Sequence, residues 1–152
     1  MPYDETGYDL YLVTRAKAPE PPGRLAVIAM GGLDAYGETV VQHVEEVDRP
    51  TLLLAQYEAA IVGLEQAVRR GAQIVELLVD SPVLLAQYLS TETPADPSVA
   101  KALIRLRWLA RGFNKLVVSA NPAPDTPHGV PAHLIDFCRV KRQEQDAAVL
   151  AP

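Results

Sequence analysis

The 152-residue chain has a single cysteine, Cys138. That cysteine has no partner within the chain, which excludes an internal disulfide framework. The first residues also lack the basic-plus-apolar pattern of a secretory leader, so the expectation is a cytoplasmic protein. No apolar run approaches the roughly 18 residues that a membrane-spanning helix needs, because Gln, Glu or Arg breaks each candidate, so no membrane partner is expected. A basic surplus is missing too. Fourteen Lys and Arg against nineteen Asp and Glu leave a net charge of -5, which excludes a uniformly basic nucleic-acid coat protein. Internal repeats and low-complexity stretches are absent.

What is present is the composition of an ordinary globular chain, 49% apolar and 22% charged, of a length that fits one domain over residues 1–152. The thirteen prolines concentrate at 19–22, 94–97 and 122–131, where they mark connections inside a domain. Charge is spread unevenly. Residues 1–50 hold four Lys/Arg and nine Asp/Glu, a balance of -5, while residues 51–152 hold ten of each. The excess acidity therefore belongs to the first third.

Residues 9–16 alternate as a strand and end where the prolines between 19 and 22 fix φ and withhold N–H groups. Residues 24–30 form a second apolar strand, Gly31-Gly32-Leu33-Asp34 reads as a hairpin turn, and residues 38–47 form a third strand. Pro50-Thr51 opens a helix to residue 70, with Leu53, Tyr57, Ala60, Ile61, Leu64 and Val68 on its core face and Gly71 closing it. Residues 74–79 are apolar at nearly every position, as a strand covered on both sides requires. Helices follow from Ser81-Pro82 to about 89 and from Asp96-Pro97 to about 112. A fifth strand at 115–119 and a helix at about 131–146 complete the order βββαβααβα. Such an order builds an α/β fold with one mixed sheet, its parallel crossovers laid on an antiparallel meander.

The run from Thr51 to Leu64, TLLLAQYEAAIVGL, resembles the first-helix signature of the ribonuclease H family, T-N-N-x-A-E-Y-x-A-L-I-x-G-L, at Thr51, Ala55, Tyr57, Ala59, Ile61, Gly63 and Leu64. Val79-Asp80-Ser81 resembles the D-S at the end of the family's fourth strand. The likeness spans about residues 9–147. It implies a ribonuclease H-like five-stranded mixed sheet with helices on both faces. In active members such a domain cleaves the RNA strand of an RNA–DNA hybrid with two Mg²⁺ ions held by four carboxylates. Two ions about 3.5–4 Å apart stabilise the attacking and leaving oxygens of an in-line displacement. Hard divalent ions of this kind need anionic oxygen ligands.

Carried onto this chain, that ligand set is incomplete. The family's strand-one aspartate falls at about Val13, and its helix-one glutamate falls on Gln56, which keeps the shape and loses the charge. Leu52 and Leu53 stand where the family's asparagines meet the hybrid backbone. Asp80 remains, and its fourth partner is either Asp125, in the Asn121 to Asp125 run that resembles the family's N-x-x-A-D, or Asp136. The resemblance thus leaves Asp80 as a weak metal ligand at best, and no cofactor is expected beyond one Mg²⁺ or Mn²⁺ if residual activity remains.

Lys101, Arg105, Trp108 and Arg111 recur at helical steps on the third helix. Together with Arg107 and Lys115 they make residues 99–115 a stretch without an acid. With Val99, Ala102, Leu103, Leu106 and Leu109 forming the core stripe, the basic side chains project outward. They form either a phosphate-contacting face with Trp108 free to stack, or a solvated face with Trp108 packed under arginine stems. His128 and His133 are five apart and do not follow the three- or four-residue spacing of helical metal ligands. Cys138 reads as a small core residue, and Arg139-Val140-Lys141-Arg142 as a solvated helix end. The acidic run at Glu45, Glu46 and Asp48 reads as strand end and turn. The expectation is a ribonuclease H-like domain that has lost catalysis and binds nucleic acid, an RNA–DNA hybrid or a single strand. The alternatives are a reduced metal-dependent ribonuclease, and a module that pairs with a protein partner or a second copy through an edge strand.

Overall fold

The computed structural model describes residues 8–18 and 25–120. Five strands and three helices follow in the order β1 (Leu10–Lys17), β2 (Ala26–Asp34), β3 (Thr39–Val47), α1 (Leu52–Arg69), β4 (Ile74–Val79), α2 (Pro82–Leu89), α3 (Pro97–Ala110) and β5 (Lys115–Ala120). They form one sheet in the order β3-β2-β1-β4-β5. The β1–β2 and β2–β3 pairs are antiparallel, and the β1–β4 and β4–β5 pairs are parallel. This is the expected α/β arrangement as far as residue 120. The helix expected at 131–146 lies outside the described residues, as do Asp125, His128, His133, Asp136, Cys138 and 139–142.

Local chemistry starts each helix. Thr51 caps α1, its hydroxyl accepting from the Leu54 N–H, and Ser81 caps α2 in the same way from Leu84. Asp96 caps α3 by accepting from the Ser98 N–H at 2.8 Å. Pro82 and Pro97 occupy first helical positions, where the missing N–H has no partner to lose. Gly71, with φ at +73°, follows the end of α1 in the left-handed region that glycine adopts without strain.

All three helices share one core with one sheet face. Leu10, Leu12, Ile28, Met30, Val75, Leu77 and Val79 point from the strands to meet Tyr57, Leu64, Leu84, Leu103 and Leu106. On the opposite face Val13, Leu33 and Leu78 form a smaller buried cluster with Tyr11 beside it. The period-two alternation along β1 therefore assigns even positions to the helical layer and odd positions to the other side. Val68, expected on the core face of α1, is exposed, while the neighbouring Ala67 is fully buried in the core, so the last turn of the helix presents Ala67 inward in place of Val68.

The turn between β2 and β3 differs from expectation. Gly31 and Gly32 are not a hairpin turn but interior residues of β2, paired with Val13 and Leu12 on one side and with Gln42 and Val41 on the other. A Cβ on Gly32 would stand 3.1 Å from the Val41 Cβ and 3.2 Å from the Tyr11 carbonyl oxygen, so this glycine serves close strand approach. The pairing with β3 shifts register directly after it, between Gly32 and Leu33. The turn itself is Asp34 to Glu38. The Asp34 carboxylate accepts from the N–H groups of Tyr36 and Glu38, both at 2.9 Å, and Gly37 takes φ +81°.

The tyrosine of the helix motif is fully buried, and its hydroxyl donates to Gln87 Oε1 at 2.6 Å, tying α1 to α2. Burial pushes the Tyr57 hydroxyl up to about 12, with the Arg107 guanidinium pulling weakly the other way; Tyr88 is raised for the same reason. A tyrosine that stays protonated longer in the folded state contributes stability fully present below the unfolded value of about 10 and lost as pH rises to about 12. Tyr57→Phe is expected to cost about 1 kcal/mol at pH 7 and to flatten the decline in stability over that alkaline window. Denaturant unfolding of both proteins at stepped pH checks this, and parallel declines would contradict it.

Candidate functional site

Two places carry the functional candidates: the ends of β1 and β4 where α1 crosses them, and the outer face of α3. At the first, Asp80 directly follows β4. Its Oδ2 accepts the Ala16 N–H at 2.9 Å, while the Gln56 amide, on the second turn of α1, donates to the Asp80 carbonyl oxygen at 3.3 Å. Gln56 is only 9% exposed, so this amide is held inside the junction and is not solvated. Thr14 closes the same junction by donating to the Leu78 carbonyl oxygen. The structure thus brings Gln56 and Asp80 together, as the motif spacing implies.

The strand-one position falls differently. Val13 pairs with Leu78 in the parallel β1–β4 register and is buried in the apolar cluster with Leu33 and Leu78. Carrying that register two residues further sets Arg15 at the level of Asp80. By strand alternation Arg15 shares the face of Val13 and Tyr11; its Nε is buried, and neither it nor Asp80 is without a partner. Reading the sequence alone misses Arg15, because strand register is a pairing property that no single strand displays.

The described donor set does not fit a pair of hard divalent ions. It offers one carboxylate, with an oxygen already accepting a backbone N–H, one neutral amide turned to donate, and a guanidinium at the same level of the sheet. Among the described residues no group of three or more His, Cys, Asp or Glu is placed to hold a metal. A Mg²⁺ ion dehydrates reluctantly and needs compensating negative charge, which Val13 and Gln56 do not supply.

On α3, Lys101, Ile104, Arg105, Trp108 and Arg111 fall within about 120° of one another at 100° per residue. All five are exposed. Trp108 is 66% exposed, which decides against a ring packed away under arginine stems. Arg105 meets Glu65 of α1 at 2.8 Å, on a side chain still more than half exposed, and a surface pair of this kind is worth about 0–1 kcal/mol and yields to a competing anion. Lys101 and Arg105 also line a groove of about 470 Å³ between α1 and α3, whose other charged residues are Asp48, Arg49, Glu58 and Glu65.

The basic stretch is smaller than its sequence suggests. Arg107 turns inward and donates to the carbonyl oxygens of Gln87, Tyr88 and Ser90, where its charge satisfies the C-terminal end of α2. Lys115 lies over the Tyr8 ring, 5.6 Å from its centroid, at the start of β5. The outward cations of α3 are therefore Lys101, Arg105 and Arg111.

No family model and no curated protein matches the sequence. Solved structures do match. The ribonuclease H1 of the halophilic archaeon Halobacterium salinarum NRC-1 superposes with a TM-score of 0.73 at 21% identity, over 90% of this chain and 98% of that one. The fold is ribonuclease H-like. LC11-RNase H1, solved in complex with an RNA/DNA hybrid, matches with a TM-score of 0.67 at 19% identity, over 88% of this chain and 99% of that one. The N-terminal RNase H domain of rv2228c from Mycobacterium tuberculosis matches with a TM-score of 0.65 at 22% identity, over 74% and 88%. Likeness of this kind places the ribonuclease H-like chain by backbone alone. No described helix is long and apolar enough to cross a membrane.

Proposed function

We propose that this chain is a ribonuclease H-like domain that binds nucleic acid without hydrolysing it. The observation that carries the reading is the Gln56 amide, buried and donating to the Asp80 carbonyl oxygen at the end of β4. A glutamate at that position would offer anionic oxygens to a metal; this amide offers an N–H to the backbone. In-line hydrolysis by two ions requires charge that Val13 and Gln56 do not supply among the described residues of the junction. Binding requires only cations and a stacking surface, and the outer face of α3 offers both in Lys101, Arg105, Arg111 and the exposed Trp108. The neighbour solved with an RNA/DNA hybrid makes that duplex the first ligand to try, with a single strand second.

Net charge does not oppose this reading. At physiological salt the screening length is about 8 Å, so an anion on α3 responds to nearby charges more than to the acidic strands. A fluorescence-anisotropy titration against salt tests it. With two to three phosphates neutralised, log K is expected to fall with log salt at a slope of about -2 to -3 on a duplex. No binding at low salt, or a slope near zero, would overturn it. The protein-partner alternative has one observation behind it, that β3 is an edge of the sheet. Glu45 and Glu46 on that strand, however, are the type of charge that discourages pairing with another chain, which favours the nucleic-acid reading. The reduced-enzyme alternative needs Asp125 or Asp136 beside Asp80, both outside the described residues.

A further inference from the structure

We propose that the junction of β1 and β4 carries its own cation: the Arg15 guanidinium neutralises Asp80 in the place where a carboxylate-lined member of this fold would hold a divalent ion. The proposal rests on the non-hydrolytic reading of the same junction and goes beyond it, since lost ligands explain only a weakened site, whereas a built-in cation makes the junction a metal-independent clasp.

Three observations converge on it. The parallel register pairs Val13 with Leu78, so the next residue of β1 on that face, Arg15, stands level with Asp80. The adjacent Ala16 N–H reaches the Asp80 carboxylate at 2.9 Å, which fixes that carboxylate against the end of β1. The Arg15 Nε is buried, so the guanidinium is anchored by its stem in the protein and does not extend fully into water. A buried arginine remains charged, because its proton is not lost within the stability range of proteins. It therefore needs a nearby anion, and among the described residues Asp80 is the carboxylate that the β1–β4 register sets beside it.

The chemistry of replacement is direct. A divalent ion gathers several carboxylates that otherwise repel one another. Where two of those positions become Val13 and Gln56, Asp80 is met by one positive charge in place of a pair of divalent ions, and a planar guanidinium supplies it with fixed hydrogen-bond geometry. Gln56 fits the same change, because its amide donates to the Asp80 backbone where an anionic side chain would repel the neighbouring carboxylate. Arg15, Gln56 and Asp80 form one substituted set.

The test reads metal binding and stability on the full chain, without any nucleic acid, so its failure is separate from failure of the binding function. Mn²⁺ is titrated by electron paramagnetic resonance and by its effect on the unfolding midpoint. The unaltered protein is expected to show no saturable Mn²⁺ binding and an unchanged midpoint. Arg15→Asp/Gln56→Glu is expected to gain Mn²⁺ affinity by about tenfold or more. Saturable Mn²⁺ binding by the unaltered protein that Asp80→Asn abolishes would overturn the proposal, as would a folded double variant that gains none. A double-mutant cycle in urea gives a readout that does not depend on that variant folding. Arg15→Gln is expected to shift the unfolding midpoint strongly in the unaltered background and little in Asp80→Asn; equal shifts in both would contradict a guanidinium that serves Asp80.

Discussion

Gly63→Val is expected to lower the unfolding free energy by about 3 kcal/mol, the upper end of what overpacking in a well-packed interior costs. A Cβ at position 63 would stand 2.9 Å from Thr14 Cγ2 and 3.0 Å from Leu12 Cδ2. The first of these atoms belongs to a β-branched side chain whose hydroxyl is tied to the Leu78 carbonyl oxygen, so it has little freedom to retreat. Two effects oppose each other at this helix-interior site. Losing glycine favours the helix by about 1 kcal/mol, while crowding β1 costs about 1–3 kcal/mol, so alanine should come out close to neutral or modestly destabilising. Valine adds two forked methyl groups against the same strand and the crowding wins. Urea unfolding of both variants measures it. A valine variant as stable as the unaltered protein would show that α1 does not approach β1 as closely as described.

The second large effect belongs to the outer face of α3. Lys101→Glu/Arg105→Glu/Arg111→Glu is expected to weaken hybrid binding at low salt by about a hundredfold and to reduce the salt slope by about 2–3. All three side chains are exposed and none supports the core, so the fold should survive, apart from repulsion between the new carboxylate at 105 and Glu65. The control is Arg69→Glu/Arg70→Glu, which changes net charge at the exposed end of α1 and should change binding far less. Trp108→Ala adds a separate reading, since loss of a stacked base costs about 1–3 kcal/mol on a single strand. If both charge variants weaken binding equally, the attraction is a property of the whole molecule and α3 is not the site.

These two experiments probe features that differ in how legible they were. The helix motif could be read because its matched residues act locally: Thr51 caps α1, Tyr57 and Leu64 fill the core, and Gly63 permits the approach to β1. Ser81 of the second motif caps α2 in the same way. The residues that match the motif thus serve largely as scaffold in this chain. Gly31-Gly32 misled because two adjacent glycines look like a turn from their own chemistry. Both are paired interior residues of β2, and Gly32 serves the close approach of Tyr11 and Val41 on neighbouring strands, which only the assembled sheet reveals. Arg107 misled in a related way, since a run of cations along a helix does not say which of them meets the carbonyls of another helix. Arg15 stayed hidden because its importance comes from the register between β1 and β4.

The account turns on whether this ribonuclease H-like junction hydrolyses anything. The direct measurement is incubation of the full chain with an end-labelled RNA–DNA hybrid, first in Mg²⁺ and then in Mn²⁺, at protein concentrations that saturate binding. The RNA strand is expected to stay intact in both metals while the hybrid remains bound. Cleavage of the RNA strand that disappears in Asp80→Asn would contradict the account and establish a working metal site built on Asp80.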